Sequence, residues 1–182
     1  GMEIFELAKS IEQSFSLSTL SRESLESLSR KYNETTHLAI LSDGEVVYVD
    51  KMECSQSIRL MSYIGKHNPA HATGVGKVLL AALDEPDLDK IIEEKGLPRR
   101  TKSTITDAKR LKSSLKLIKT QGYAIDDGEY EEDLWCAAAP IKDLHGEVIA
   151  AMSISFPVNR IENFDKSEVI QDVMKSASNI SP

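Results

Sequence analysis

Residues 36–52 read THLAILSDGEVVYVDKM. Two short runs rich in aliphatic and β-branched residues, 36–41 and 46–52, flank Ser42-Asp43-Gly44-Glu45. An Asp-Gly pair between two such runs signals a hairpin, because the turn needs positive φ and glycine adopts it without steric cost. The same grammar returns late in the chain, where 134–141 and 147–156 flank Asp143-Leu144-His145-Gly146. Hairpins join antiparallel neighbours, so the sheet is expected to be mainly antiparallel. A doubly wound parallel sheet would need strand and helix to alternate, and that alternation is absent.

Outward from these hairpins the period changes to helical. Downstream of the first, residues 57–64 (SIRLMSYI) begin by alternating and suit a third strand. Gly65, Asn68, Pro69, Gly74 and Gly76 punctuate the next stretch, and 77–83 reads as a helix opening near Gly74. Asp84 caps a short acidic helix over 85–95, with Pro86 tolerated in its first turn, Gly96 as its stop and Pro98 beyond. Thr106 is a fair N-cap for a helix over 107–121 with Ala108, Leu111, Leu115 and Ile118 as its stripe, and Gly122 stands at the stop position. A short strand at 123–125 leads into the acidic loop 126–133 (DDGEYEED). Asp165-Lys-Ser-Glu168 reads as a capping box opening a closing helix with Ile170, Val173, Met174 and Ala177 inward. Upstream, Ile4, Leu7, Ala8, Ile11 and Phe15 give one helix over 3–15, the polar break SLST follows, and a second helix covers 21–32. The order is α-α-β-β-β-α-α-α-β-β-β-α: a mixed α/β chain of the α+β kind, a long antiparallel sheet flanked by helices.

Composition bounds the rest. The 182 residues are 41% hydrophobic and 28% charged, with a net charge of −7, which suits one globular domain. No apolar run approaches the roughly 18 residues of a membrane span, and the start lacks the pattern of a secretory signal. Gly1 ahead of Met2 reads as an expression scar, so the natural chain is expected to extend further upstream. Two cysteines, Cys54 and Cys136, are too few for a disulfide scaffold and fit a reducing cytoplasm. An acidic chain is a poor binder of nucleic acid by itself, since phosphate neutralisation supplies most of that affinity. Charge is also segregated: residues 84–96 carry six acids and two bases, and 97–121 eight bases and one acid. Solvated faces and inter-helix ion pairs account for this better than an anion site.

Several residues can carry chemistry. His71-Ala-Thr-Gly74-Val-Gly76-Lys77 fails as a P-loop, because His71 and Val78 stand where a glycine and a Ser/Thr are needed. Two readings stay open: glycines opening a helix whose free N–H groups hold an anion, or glycines allowing close helix–sheet packing. Cys136 has acids rather than a cation nearby in sequence, which raises a thiol's pKa and favours a pocket-lining or buried thiol over a nucleophile. His67 and His71 are four apart, but Pro69 between them forbids one helix face, so no metal site is expected. Ser153 and Ser155 share a strand face with Ala151, and their hydroxyls need partners if that face is buried. They either satisfy one another and the backbone or line a small polar pocket. Asp126 is the third polar candidate, a turn residue on the alternative reading.

These elements together resemble the IclR family of bacterial transcription regulators. Residues 69–81 (PAHATGVGKVLLA) resemble its glycine–helix motif, 122–141 (GYAIDDGEYEEDLWCAAAPI) its second signature and 146–157 (GEVIAAMSISFP) its third. The resemblance covers roughly residues 20–180 and is to the C-terminal effector-binding domain, which implies a GAF-like fold. It implies that residues 1–18 are a linker-helix remnant, that 19–182 bind a small carboxylate effector, and that DNA is bound only through an absent N-terminal winged helix-turn-helix. The pocket positions it implies are Gly74, Val75, Asp126, Cys136, Ser153 and Ser155, with no catalytic residue, metal or cofactor. Asp133 and Trp135 depart from the family pattern, which commonly has glycine and arginine there. Residues 47–53 and 57–65 look similar to the branch controlling sugar-acid and keto-acid catabolism, implying a hydroxylated or keto carboxylate. The resemblance further implies a cytoplasmic homodimer or homotetramer, a repressor or an activator, and Ile58, Leu60 and Met61 are either a subunit contact or core strand residues. Two other functions stand beside this one. GAF-like folds include thiol-dependent free methionine sulfoxide reductases, for which Cys54 and Cys136 would be the pair. A purely structural oligomerisation domain would have a filled pocket.

Overall fold

The computed structural model describes residues 2–57 and 59–181, with residues 2–16 as backbone only. The chain opens on one helix, α1 (Met2–Tyr32), not the two expected. The polar stretch read as a break is helical because its hydroxyls find partners. Ser18 donates to Asp50 Oδ2 at 2.7 Å, and nearby Ser21 returns its hydroxyl to Leu17 O at 2.7 Å.

The first hairpin forms as read, from β1 (Thr35–Ser42) and β2 (Glu45–Met52). Asp43 (φ 48°) and Gly44 (φ 76°) both take the positive φ its turn requires. The expected third strand at 57–64 does not form. Its described residues make a strap, and the strand next to β2 is β3 (His67–Pro69). The strap is held by Gly65 N–H to Tyr48 O (2.7 Å) and by Lys51 Nζ to Ser62 O (2.5 Å). Met61 is 88% exposed and Leu60 half-buried, so neither is a core strand residue, and Ile58 lies outside the described residues.

A 3₁₀ turn (Ala70–Ala72) leads into α2 (Gly74–Ala82), followed by α3 (Glu85–Lys95) and α4 (Ala108–Gln121). Asp84 caps α3 as expected, by accepting from Asp87 N. For α4 the cap is Asp107 rather than Thr106: its carboxylate accepts from Arg110 N at 2.8 Å. Lys112 of α4 pairs with Glu85 (3.1 Å) and Asp89 (2.6 Å) of α3, the inter-helix ion pairing expected from the charge segregation. Then come β4 (Ala124–Asp127), β5 (Leu134–Lys142), β6 (Val148–Pro157), the short α5 (Val158–Ile161) and α6 (Lys166–Ile180). Asp165 caps α6 through Ser167 N.

The six strands lie in the order β3-β2-β1-β6-β5-β4, each neighbour antiparallel. Each sheet face buries its own core. On one face Leu25, Tyr32, Leu38, Phe156 and Val173 pack between the sheet and α1 and α6. On the other, Ala39, Val46, Leu79, Leu111, Ala138 and Ala151 pack under α2 and α4. Small side chains on this second face let α2 lie close to the sheet and leave space at its N-terminus.

Candidate functional site

That space is a cavity between the N-terminus of α2, the sheet and the strap. Its enclosed free space is small, about 20 Å3, and reaches about 390 Å3 only when the gaps between lining atoms and the open solvent at its mouth are counted. The strand register builds its floor. Asp126 of β4 lies opposite Cys136 of β5, and Cys136 opposite Ser155 of β6. One row along, Ser153 lies between Ala138 of β5 and His37 of β1. Because alternate residues share a face, these polar groups all point to the α2 side. Gly74, Val75, Asp126, Cys136, Ser153 and Ser155 all line this one cavity.

At the roof, Thr73 caps α2 and its Oγ1 accepts from Gly76 N at 3.2 Å. The next N–H inward, that of Lys77, bonds Thr73 O at 2.9 Å. Helix geometry leaves the N–H groups of Gly74 and Val75 without an intrahelical acceptor. Gly76 answers the packing reading of the glycines, since a Cβ there would meet Ala70 O at 2.2 Å. At Gly74 a Cβ would meet Ala138 Cβ at 3.4 Å, Asp126 N at 3.8 Å and Ala124 O at 3.9 Å, all at ordinary contact distance. The second glycine therefore seats the helix on the 3₁₀ turn, while packing does not require the first.

The floor is polar but not highly charged. Asp126 is 1% exposed, and its Oδ1 accepts from the backbone N–H of Glu129 (2.7 Å) and Tyr130 (3.3 Å). Burial pushes its carboxyl up to about 7, against those two hydrogen bonds and the Lys77 cation. Burial likewise pushes the Cys136 thiol well above its ordinary range. The sequence points to a raised value from neighbouring acids; in the structure burial is the larger cause and Asp126 the second. The thiol donates to Ser155 Oγ at 3.2 Å, so Cys136 is a neutral donor rather than a thiolate. Ser153 makes no side-chain hydrogen bond to the described residues.

Lys77 is spent within the protein. It is buried, donates to Ile125 O at 2.6 Å and pairs with the Glu129 carboxylate. Burial raises the Glu129 carboxyl while Lys77 lowers it. A lysine inside the apolar run of α2 signals a buried acidic partner, and the acidic loop was where to look for it. Tyr48, Leu60, Ser62, Lys66, Tyr130 and Leu134 also line the cavity, and sequence reasoning missed them. Tyr48 was legible only as a strand residue, and the strap residues were assigned to a strand that does not form. The two histidines make separate contacts: His71 Nε2 lies 3.1 Å from Pro98 O and His67 Nδ1 3.2 Å from Glu45. Among the described residues no group of three or more His, Cys, Asp or Glu side chains can hold a metal ion.

The family model for the bacterial transcriptional regulator IclR C-terminal matches residues 10–182. The chain belongs to the IclR family. The HTH-type transcriptional regulator KdgR of Dickeya chrysanthemi is 37% identical over 180 residues, which are 99% of this chain and 59% of that protein. The chain thus spans about three-fifths of the length of that relative. The crystal structure of the C-terminal domain of Escherichia coli KdgR matches with a TM-score of 0.79 at 36% identity, over 91% of this chain and 96% of that one. An IclR homolog from Microbacterium hydrocarbonoxydans, crystallised with 4-hydroxybenzoate, matches with a TM-score of 0.86 at 25% identity, over 100% of this chain and 73% of that one. The fold is that of an IclR C-terminal domain, and the family is one of regulators rather than enzymes, which removes the thiol-reductase alternative. Among the described residues no helix is long and apolar enough to cross a membrane.

Proposed function

We propose that this chain is the effector-sensing part of a transcription regulator and that its effector is a small carboxylate, a sugar acid or a keto acid. The observation that carries this reading is the convergence of six groups on one buried cavity. The free N–H groups of Gly74 and Val75 meet the carboxylate oxygens. Cys136 and the two serines bond carbonyl or hydroxyl oxygens. A carboxyl at Asp126 that is about half protonated near pH 7 repels an anionic ligand less than an ordinary aspartate, and in its protonated form can donate to it. Residues 1–18 connect the sensor to a DNA-reading domain, and the chain works as a homodimer or homotetramer in the cytoplasm. Occupancy of the cavity shifts the balance between subunit arrangements and so the spacing of the DNA-reading domains. A second reading, an aromatic acid, is favoured by the 4-hydroxybenzoate bound by a structural neighbour and by Tyr48, Leu60, Tyr130 and Leu134 in the lining.

Calorimetric titration with glyoxylate, pyruvate, D-gluconate, D-galacturonate and 4-hydroxybenzoate separates the two. Binding of a keto or sugar acid, lost in Ser153→Ala, is the expected result. Binding of the aromatic acid alone would favour the second reading, and binding of none would defeat both.

A further inference from the structure

The cavity has a second polar end. Gly74 sits over β5, near Ala138, and backs onto β4 at Asp126. Tyr48 belongs to β2, three strands away in the order β2-β1-β6-β5. Three strand spacings are about 14 Å between backbone axes, so Tyr48 enters the cavity from the β2 side, and its phenol reaches far enough inward to feel Cys136 and Asp126. At the Tyr48 end three polar side chains meet. His37 is fully buried and stacks on Tyr48 with ring centroids 4.4 Å apart. Its Nε2 lies 2.7 Å from Ser62 Oγ on the strap, and its Nδ1 is buried with no partner among the described residues. Burial, followed by the cations of Lys51 and Lys66, pushes the imidazole down to about 3, so it stays neutral. A neutral imidazole fixes the Ser62 hydroxyl without bringing a charge to the cavity. Lys51 anchors the same residue from behind through Ser62 O. The Tyr48 hydroxyl makes no hydrogen bond to the described residues, and both Tyr48 and Ser62 line the cavity.

We infer that Tyr48 and Ser62 form a second recognition pole that takes a hydroxyl or carbonyl oxygen remote from the ligand's carboxylate, with His37 as the positioning residue that aims Ser62. This rests on the effector reading above and narrows it. The preferred ligand is an elongated hydroxylated carboxylate that touches both poles, and a two- or three-carbon keto acid touches only one. Discrimination follows from leaving polar groups unpaired: a site built to bond a distal oxygen is penalised when the ligand lacks one.

Titration of the same chain with pyruvate, D-gluconate and D-galacturonate, in the parent and in Tyr48→Phe, Ser62→Ala, His37→Phe and His37→Gln, tests it. The parent should bind one of the two sugar acids at least tenfold more tightly than pyruvate. Tyr48→Phe and Ser62→Ala should each weaken that sugar acid about tenfold and leave pyruvate unchanged. His37→Phe should do the same, and His37→Gln, which keeps a hydrogen-bonding group toward Ser62, should recover part of the loss. A parent that binds pyruvate as tightly as the sugar acids, or variants that weaken pyruvate and sugar acid equally, overturns the second pole and leaves the effector reading standing. If none of these acids binds the parent, the sugar-acid and keto-acid reading falls and takes the second pole with it, while binding of 4-hydroxybenzoate alone would leave only the aromatic reading. Circular dichroism melts within a few degrees of the parent guard against misfolding, and Tyr48→Phe, which removes a single oxygen, carries the test alone if the His37 variants unfold.

Discussion

At Gly76 an added Cβ would stand 2.2 Å from the carbonyl oxygen of Ala70 and 2.5 Å from its Cα. Both are backbone atoms, which cannot rotate away as a side-chain tip can. Gly76→Ala should therefore cost about 3 kcal/mol in urea unfolding, at the upper end for overpacking; a loss within error of zero would mean that the turn and α2 separate freely. Asp126 makes a different prediction. Its folded value of about 7 lies above its ordinary 3.8. Between those values the folded state binds more protons than the unfolded one, so this group's contribution to stability falls as pH rises and reaches its lowest level above about 7. Asn at this position keeps the oxygen that accepts from Glu129 and Tyr130 but cannot ionise. The stability of the parent minus that of Asp126→Asn should therefore fall between pH 5 and pH 8, and a difference that ignores pH would contradict the buried carboxyl. At this scale the shared face of Ser153 and Ser155 is legible from strand period two and the helix opening at Gly74 from its glycines. Asp126, expected at the start of the acidic loop, lies instead in β4, and it is the family resemblance that names it and Cys136 as pocket positions. Tyr48, His37 and Ser62 are not legible as a group, because their nearness depends on how β1, β2 and the strap meet.

Among the elements, the hairpins and the Asp84 cap were the most readable, while the α4 cap fell one residue along, at Asp107. Asp43-Gly44 and Asp84 act locally, and local rules need no knowledge of the rest of the chain. The larger errors fall where tertiary contacts override local signals. α1 continues through a polar stretch because Ser18 reaches Asp50 on β2, joined there by Arg22 Nη1 at 2.8 Å. Residues 57–64 look strand-like, yet β2 finds its partner at His67–Pro69. Long-range ion pairs are equally silent in sequence. Arg160 of α5 forks onto Glu34 at the start of the sheet, with Nη2 2.7 Å from Oε2, and Glu34 is only 2% exposed. Removing the guanidinium strands a buried carboxylate, so Arg160→Ala should lose about 3 kcal/mol. Chemical denaturation measures this, and a loss under about 0.5 kcal/mol would place the pair among ordinary surface bridges.

For the whole molecule, the division of labour between the two sheet faces matters most. The α1/α6 face is closed by large side chains, including Phe156 with Tyr32 at 5.8 Å and Trp135 at 6.0 Å between ring centroids. The α2 face carries alanines and serines, and the cavity lies there. A net charge of −7, which argued against nucleic-acid binding by this chain, agrees with a sensing role proposed for it. The strap contributes Leu60, Met61, Ser62 and Lys66 to the cavity and presents Met61 (88%), Tyr63 (66%) and Ile64 (60%) to the outside, so ligand entry and any subunit contact there would be felt by the same segment. The central claim, that a carboxylate docks at the N-terminus of α2, is tested most directly by a crystal structure of the chain with the tightest acid from the titrations. The account predicts carboxylate oxygens within hydrogen-bond distance of the Gly74 and Val75 N–H groups, and a ligand oxygen on Ser153 or Ser155. A ligand bound instead in the groove lined by Val78, Ile118, Lys119 and Val148, with the α2 cavity untouched, would contradict it.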